Sequence, residues 1–240
     1  KGYIKLILYK LLYKLSNEII VNSFEFKKNI KKIFDLDSSV IFNPLKIQKK
    51  NKKRFELLKN FKGIKIINVA RLTDQKDHIT LLRSIKFVLK KKKINIKLVI
   101  IGKGKNYDLL KRFIIENNLK KNVFLMGYKK NAHEYLKSFD LFILSSRYEG
   151  LPNILIETQV AGTPIISSDC PSGPKEILLN GKLGILYKTG DHIDLYKKIL
   201  IFIKDKKKYK QKAILAKKYL YRFDYEKNLN RYLEVINKYI

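Results

Sequence analysis

The sequence predicts an α/β fold with a doubly wound, Rossmann-like parallel sheet flanked by helices, and two observations lead to this prediction. Between residues 64 and 167, short apolar runs alternate regularly with stretches of helical periodicity. The runs are apolar almost throughout rather than at every second position, which is typical of strands buried on both faces of a parallel sheet. A chain of 240 residues with 45% hydrophobic residues is also long enough to bury such a core.

The central region supplies five predicted strands in order, each followed by a helix or a turn. The strands cover 64–70, 97–101, 123–126, 141–144 and 164–167, and the helices between them cover about 77–90, 106–117, 132–138 and 152–161. A further strand-like piece with turns follows over 181–186. Ligands of such sheets bind at the carboxyl ends of the strands, so the residues directly after each strand are the candidate site residues.

The flanks are less regular. Residues 1–16 mix Lys with Ile, Leu and Tyr at helical spacing, which predicts an amphipathic helix that either packs on a neighbouring domain or lies on an anionic membrane. We expect short strands over 18–23 and 40–44 with a helix over about 24–33 between them, and a mostly helical region over 191–240. The chain does not begin with Met, and we expect it to be part of a longer protein.

The charge balance is strongly basic, with 53 Lys and Arg against 21 Asp and Glu, which gives a formal net charge of +32. Such a surplus attracts nucleic acid, anionic lipid or phosphorylated substrates. The excess is nearly all Lys, spread along the chain beside abundant Asn and Ile, so AT-rich coding is an alternative explanation. No nucleic-acid-binding motif is present, and we expect no nucleic-acid partner; an anionic membrane surface stays open.

Cysteine and histidine usage argues against a metal site. Cys170 is the single cysteine, so no disulfide forms within the chain, and His78, His133 and His192 lie far apart without ligand spacing. We therefore expect no metal and no cofactor. A reducing cytoplasm fits this usage, with peripheral association at the inner face of the cell membrane as an open addition.

Two candidate segments follow the first two central strands. Arg71 and Lys76 lie five residues apart at the predicted mouth of the sheet, where such charges could hold a diphosphate; a solvated basic loop is the alternative. Gly102 and Gly104 flank Lys103 after the second strand. These glycines could let the backbone approach a ligand closely, or they could simply form a strand-to-helix turn.

The most specific segment, residues 145–157, follows the fourth strand. Gly150 permits a tight turn, and Pro152 suits the first turn of a helix, whose free N–H groups suit an anion. Glu149 and Glu157 are about two helical turns apart, so we expect them to face one cleft and to accept hydrogen bonds from sugar and ribose hydroxyls. The alternatives are helix-dipole complementation for Glu149 and a surface role for Glu157.

Taken in order, these segments resemble the retaining glycosyltransferases of family 4, which have the GT-B fold. Residues 69–77 are similar to the family signature Gly-Arg-Leu-x-x-x-Lys-Gly, with Ala70 and Asp77 in place of the two glycines. The segment from Glu149 to Glu157 matches the E-x7-E motif. Residues 168–177 resemble a Gly-Gly-x-x-Glu loop in which Ser172-Gly173-Pro174 replaces the double glycine. The resemblance covers about 64–190 well.

The resemblance implies a role for each matching residue. Arg71 and Lys76 would hold the donor diphosphate and stabilise the leaving phosphate, Glu149 would contact the donor sugar, and Glu157 would bind the ribose hydroxyls. The remaining donor-binding residues would be Gly102, Gly104, Gly127, Tyr128, Gly150, Leu151 and Asn153. Among these, the turn at Gly127 and Tyr128 would lie beside the base, and the backbone at Gly150 and Leu151 would lie near the sugar and phosphates.

The resemblance also implies a domain organisation. Residues 1–44 would be the end of an N-terminal acceptor domain, so that this domain is truncated here. Residues 45–62 would be a linker, 63–222 the nucleotide-sugar-binding domain, and 223–240 a helix returning toward the acceptor domain.

Three functions remain open. The first is a glycosyltransferase that moves sugar from a nucleotide sugar, expected to be a UDP-sugar, to a glycan or lipid-linked acceptor with retention, in bacterial surface-polysaccharide synthesis. The second is a donor-binding chain without turnover, and the third is a basic membrane-surface or nucleic-acid binder. Salt sensitivity and the effect of substituting Glu157 separate the third from the others.

Overall fold

The computed structural model describes residues 2–46, 55–92 and 94–240 and divides into two compact units. One unit comprises Lys1–Lys46 with Tyr221–Ile240, and the other comprises Ile47–Leu220. Within the predicted linker 45–62, residues 47–54 lie outside the described ranges. The roles assigned to the predicted domains stay predictions.

Strands and α-helices, numbered in chain order, have the following bounds: α1 Gly2–Lys14, β1 Ile20–Val21, α2 Phe24–Phe34, β2 Ser39–Val40, β3 Ile64–Val69, α3 His78–Lys92, β4 Ile96–Ile101, α4 Tyr107–Glu116, β5 Val123–Leu125, β6 Leu141–Leu144, α5 Asn153–Ala161, β7 Ile165–Ser168, α6 Pro174–Ile177, β8 Ile185–Tyr187, α7 His192–Lys204, α8 Lys206–Lys217 and α9 Tyr225–Asn237. Short 3-10 helices cover Glu56–Leu58, Asp74–Lys76, Ala132–Ser138 and Leu220–Phe223.

The larger unit is built on a six-stranded sheet in the order β5-β4-β3-β6-β7-β8, with all neighbouring strands parallel. The chain runs outward from β3 through β4 to β5, then returns to β6 on the other side of β3. This reversal makes a topological switch point between the carboxyl ends of β3 and β6, where ligands of doubly wound sheets bind. The predicted α/β fold with a doubly wound parallel sheet is confirmed.

The strands are buried because their apolar side chains meet helices. Ile66, Ile67, Leu98 and Phe142 have no exposed surface. Helix α3 packs on the sheet through Leu81, Leu82 and Ile85, and it also contacts α7 and α4, while α5 contacts α8 and the 3-10 helix Ala132–Ser138. This rigid core fixes the loops that leave the carboxyl ends of the strands.

Several local predictions differ from the structure. The helix predicted over 132–138 is a 3-10 helix, and within the predicted strand segment 181–186 only the last residues are extended, with β8 running over Ile185–Tyr187. The reason lies just before this segment, where Leu179 and Asn180 have φ of 47° and 52° and so form a turn.

The smaller unit contains a two-stranded parallel sheet, in which Ile20 pairs with Ser39 and Val21 with Val40. The strands predicted over 18–23 and 40–44 are therefore much shorter than expected. The last part of the chain packs in the same unit: the ring centroids of Phe42 and Phe223 are 5.1 Å apart. Among the described residues, no helix is both long and apolar enough to cross a bilayer.

Candidate functional site

Two loops meet at the switch point, one after β3 and one after β6, and hydrogen bonds join them. The Arg147 N–H donates to the Gln75 carbonyl over 2.8 Å, and the Gln75 side-chain amide donates to the Tyr148 carbonyl over 2.9 Å. The Ser145 hydroxyl donates to the Lys76 carbonyl over 2.7 Å. The two loops therefore form one connected surface, although about 70 residues separate them in sequence.

Lys76 and Glu149 form a buried ion pair on this surface. The Lys76 Nζ lies 2.5 Å from the Glu149 Oε1, and their side chains are only 13% and 7% exposed. The Ser146 hydroxyl donates to the same Glu149 oxygen over 2.6 Å. Two charges are rarely withdrawn from water together unless each has a partner, and here each serves the other. The structure thus brings two of the three predicted catalytic residues into direct contact.

Arg71, the third predicted catalytic residue, is exposed on the loop that follows β3. Within the described part of the chain, its guanidinium makes no hydrogen bond or ion pair. The loop therefore presents an un-neutralised cation five residues before Lys76, which suits an anionic ligand.

Glu149 lies in the loop before α5 rather than on the helix, since α5 begins at Asn153 with Pro152 as its N-cap. Helical spacing therefore cannot be what brings the two glutamates toward one cleft, and that step of the prediction is wrong. Gly150 is exposed, Leu151 is buried and Asn153 is exposed at the start of the helix. The N-terminus of α5 carries the positive end of the helix dipole, which suits an anion.

Glu157 occupies the second turn of α5 and is half-buried. Burial raises the pKa of its carboxyl group above the usual value, while the nearby His133 acts in the opposite direction. A carboxylate with reduced solvation gains more than a fully solvated one from hydroxyl donors on a ligand.

Gly102 and Gly104 have a structural role that the sequence left open. A Cβ on Gly102 would lie 1.9 Å from the Ala70 carbonyl oxygen, and one on Gly104 would lie 2.4 Å from the Leu72 carbonyl oxygen. Both glycines are thus required by the close approach of the β4 loop to the β3 loop. This favours the turn interpretation for them, and their donor contacts stay a prediction.

Gly127 and Tyr128 form the turn after β5. Gly127 has a φ of 64°, and its carbonyl accepts a hydrogen bond from the Gly102 N–H over 2.8 Å. The Tyr128 ring is 66% exposed, with the Lys103 ammonium 5.6 Å from its centroid. An exposed aromatic ring beside a cation is a suitable platform for a planar base.

The loop between β7 and α6, residues 169–173, packs against the loop after β6. The Glu149 N–H donates to the Pro171 carbonyl over 3.3 Å. Ser172 and Gly173 have φ of 64° and 85°, and a Cβ on Gly173 would lie 2.2 Å from the Gly150 carbonyl oxygen. These two left-handed residues occupy the place of the double glycine in the motif, which explains why glycine is favoured there.

A buried polar couple below the site was not identified as functional from the sequence. The His78 Nε2 lies 3.1 Å from the Asn68 Oδ1, and the Asn68 amide donates to the Ile143 carbonyl over 2.8 Å. Burial, reinforced by Lys76, lowers the pKa of His78 to about 4, so the imidazole is neutral at neutral pH. The signal that could have revealed this couple was Asn68, which follows the apolar Ile66 and Ile67 in the second half of β3.

Within the described ranges, no group of three or more His, Cys, Asp and Glu side chains is arranged to hold a metal ion. The absence of a metal requirement stays a prediction.

These features define a doubly wound α/β domain with charged side chains of both signs at its switch point, and comparison with known proteins gives the family. The model of the glycosyl transferases group 1 family matches residues 49–219. The chain therefore belongs to this family.

Two relatives show how much of a longer protein the chain covers. It is 37% identical over 210 residues to an uncharacterized glycosyltransferase of Methanocaldococcus jannaschii, covering 78% of this chain and 52% of the relative. It is 30% identical over 151 residues to the N-acetylgalactosamine-N,N'-diacetylbacillosaminyl-diphospho-undecaprenol 4-alpha-N-acetylgalactosaminyltransferase of Campylobacter jejuni, covering 62% of this chain and 40% of the relative. The chain thus spans about half the length of these relatives or less.

Among solved structures, the chain is similar to the Staphylococcus aureus protein TarM, in a mutant form crystallised with Fondaparinux, alpha-GlcNAc-glycerol and UDP. The TM-score is 0.79 at 25% identity, with 92% of this chain and 44% of that chain covered. The GT-B-type fold expected from the resemblance agrees with this likeness.

Proposed function

We propose that this chain carries the donor site of a retaining glycosyltransferase that uses a nucleotide sugar, specifically a UDP-sugar, and a glycan or lipid-linked acceptor in bacterial surface-polysaccharide synthesis. The observation that carries the proposal is the buried contact between Lys76 and Glu149 at the switch point, with the free cation of Arg71 on the same loop. UDP in the crystal of TarM and the undecaprenol-linked substrate in the name of the Campylobacter relative support the donor and acceptor classes.

The charges suit the diphosphate of such a donor. Arg71 is free to bind phosphate oxygens, and Lys76, which is paired with Glu149 and only 13% exposed, supplies a second cation with little water around it. The N-terminus of α5, which follows the Glu149 loop, adds the positive end of a helix dipole. Glu157 and the turn at Tyr128 would take the ribose and the base.

The chemistry follows from where charge develops. When the bond between the sugar and the diphosphate breaks, negative charge grows on the leaving phosphate, and Arg71, Lys76 and the helix N-terminus stabilise it. Glu149 lies beside Lys76 and would accept hydrogen bonds from the sugar hydroxyls. No described side chain is assigned as a general base; the acceptor hydroxyl oxygen would attack an oxocarbenium-like sugar on the face that the phosphate leaves, and its proton would pass to an oxygen of the leaving phosphate.

Titration calorimetry with UDP- and GDP-sugars tests the donor site. We expect saturable binding to the chain, weakened on the order of tenfold or more by Arg71→Ala and by Glu157→Gln, because each removes a charge-assisted contact. Lys111→Ala is a matched control, since Lys111 is an exposed lysine of α4. Equal affinity in all variants would overturn the assignment of this site.

A transfer assay separates the enzyme from a donor-binding chain without turnover. With a lipid-linked saccharide as acceptor, transfer with an unchanged anomeric configuration, read by NMR of the product, supports the glycosyltransferase. Binding without transfer supports the second function. Binding that ignores Glu157→Gln and collapses with salt supports a general polyanion binder instead.

A further inference from the structure

Asp77 occupies an unusual position directly after Lys76. Its φ is 42°, in the left-handed region that favours glycine, and the motif that this segment resembles has glycine there. The carboxylate is buried, with 4% exposure of the side chain. A buried carboxylate on a strained backbone needs compensating contacts.

Two sets of contacts compensate Asp77. Its carboxylate accepts hydrogen bonds from the Thr80 N–H over 3.3 Å and from the Thr80 hydroxyl over 2.9 Å, which fixes the first turn of α3. Its Oδ2 also lies 3.4 Å from the Nε of Arg147, on the loop after β6. Asp77 therefore connects the Lys76 loop, α3 and the Glu149 loop.

Arg147 holds the Lys76 segment on both sides. Its backbone N–H bonds to the carbonyl of Gln75, before Lys76, and its side chain pairs with Asp77, after Lys76. Arg147 is also two residues before Glu149. Arg147 therefore contacts both residues that flank Lys76 and lies close to Glu149 in the chain.

We propose that Arg147 and Asp77 are positioning residues that act through Lys76: they hold its ammonium and the Glu149 carboxylate in the arrangement that receives the donor diphosphate and sugar. This inference rests on the proposed function. The geometric basis is the 3.4 Å contact between the Arg147 Nε and the Asp77 Oδ2, directly after Lys76 in the chain.

The exposure of Arg147 separates positioning from general stability. The Arg147 side chain is 62% exposed, and the buried Asp77 carboxylate keeps its two hydrogen bonds from Thr80 when the Arg147 charge is removed. Loss of its charge should therefore leave unfolding nearly unchanged while it alters ligand affinity. If the contact served only folding stability, its loss would lower the unfolding midpoint and leave ligand affinity unchanged.

The test measures UDP affinity of the full 240-residue chain by titration calorimetry, with thermal unfolding alongside. We expect Arg147→Gln and Asp77→Asn to weaken UDP binding on the order of tenfold, with Arg147→Lys recovering part of the loss because it keeps the charge. Arg112→Gln is the matched control, since Arg112 is exposed on α4. Unchanged UDP affinity in Arg147→Gln would overturn the proposal.

A second comparison tests whether Arg147 acts through Lys76. In a Lys76→Met background, we expect Arg147→Gln to cause no further loss of UDP affinity, because the group that it positions is gone. An equal loss in both backgrounds would show that Arg147 acts independently, which would overturn the positioning role.

Failure of the proposed function can be recognised separately. If the wild-type chain binds no UDP, amide hydrogen exchange at Lys76 and Thr80 still tests the positioning contacts. Faster exchange at both amides in Arg147→Gln than in Arg112→Gln supports them, and equal exchange overturns them.

Discussion

At the residue scale, the site contains charged side chains that have lost much of their solvation. Lys76 and Glu149 compensate each other, whereas Glu157 is half-buried and burial raises the pKa of its carboxyl group. A site that binds hydroxyls and phosphates benefits from such groups, because a ligand replaces the missing water. Such a poorly solvated charge therefore strengthens ligand binding but lowers the stability of the free chain.

Glu157→Gln tests this opposition. A raised pKa in the folded chain means that ionisation of Glu157 disfavours folding above the pKa of the unfolded chain, so removal of the charge should raise the unfolding midpoint at neutral pH. The same change should weaken UDP binding on the order of tenfold or more through loss of a charge-assisted acceptor. Thermal unfolding and calorimetry at pH 7 measure the two effects; a lower midpoint together with tighter binding would contradict the argument.

His78 makes a second prediction, on pH. Its folded pKa is about 4 against an ordinary value of 6.5, so between these pH values the unfolded chain binds more protons than the folded chain. The free energy of unfolding should therefore fall as the pH falls from 6.5 toward 4, by about 3 kcal/mol from this group when the drop is complete.

Chemical denaturation of wild type and His78→Gln across this pH range measures the His78 contribution. In His78→Gln, the free energy of unfolding should fall less steeply between pH 6.5 and 4 than in wild type. His192→Gln, a substitution at the start of α7, should keep the wild-type pH dependence. Parallel pH profiles for wild type and His78→Gln would show that His78 does not carry the effect.

At the scale of elements, three loops at the carboxyl ends of β3, β6 and β7 fit together through close backbone approach. Gly173 is the clearest case, since its Cβ would meet the Gly150 carbonyl oxygen at 2.2 Å. A substitution there must move the segment that contains Glu149, because the two loops cannot both keep their positions.

Gly173→Ala should therefore both destabilise the chain and weaken UDP binding. Gly181→Ala is a close control: Gly181 has a φ of 86° against 85° for Gly173, but a Cβ there would meet nothing within 4 Å. Both substitutions place an alanine at positive φ, which costs about 1–2 kcal/mol in the left-handed helical region and more at Gly173, whose ψ of −60° lies outside that region. We expect only Gly173→Ala to lose a further ~1 kcal/mol or more of stability, on the order of an overpacked site, and to lower UDP affinity. Equal losses of stability and UDP affinity in the two variants would show that the positive φ alone, and not contact with the Gly150 carbonyl, causes them.

The elements also show what could be predicted from the sequence. Strands such as β6 were found because their apolar runs are continuous, and the helix from Asn153 was placed within a residue of its start because Pro152 marks it. Glu149 was placed by helical spacing, which was wrong because Gly150 and Pro152 keep it in a loop. The pairing of Asp77 with Arg147 depends on the order of β3 and β6 in the sheet, and no local pattern contains that order.

At the scale of the whole molecule, the net charge of +32 acts on folding and on binding in opposite senses. Dispersed like charges repel each other in the compact state, and salt screens that repulsion over about 10 Å at 0.1 M. Salt also screens the attraction of the basic surface for an anionic donor. Added salt should therefore stabilise the free chain and weaken its complex with an anionic donor.

A sodium chloride series from low to physiological ionic strength makes this testable on the full chain. We expect the unfolding midpoint to rise with salt while UDP affinity falls by no more than about tenfold, because a diphosphate site with two basic side chains, Arg71 and Lys76, has a shallow dependence on salt. Arg71→Ala should reduce that dependence, and the exposed control Lys111→Ala should not. A salt slope as steep as that of a polyanion binder, and insensitive to Arg71→Ala, would indicate that the dispersed lysines rather than the switch-point loops capture the nucleotide.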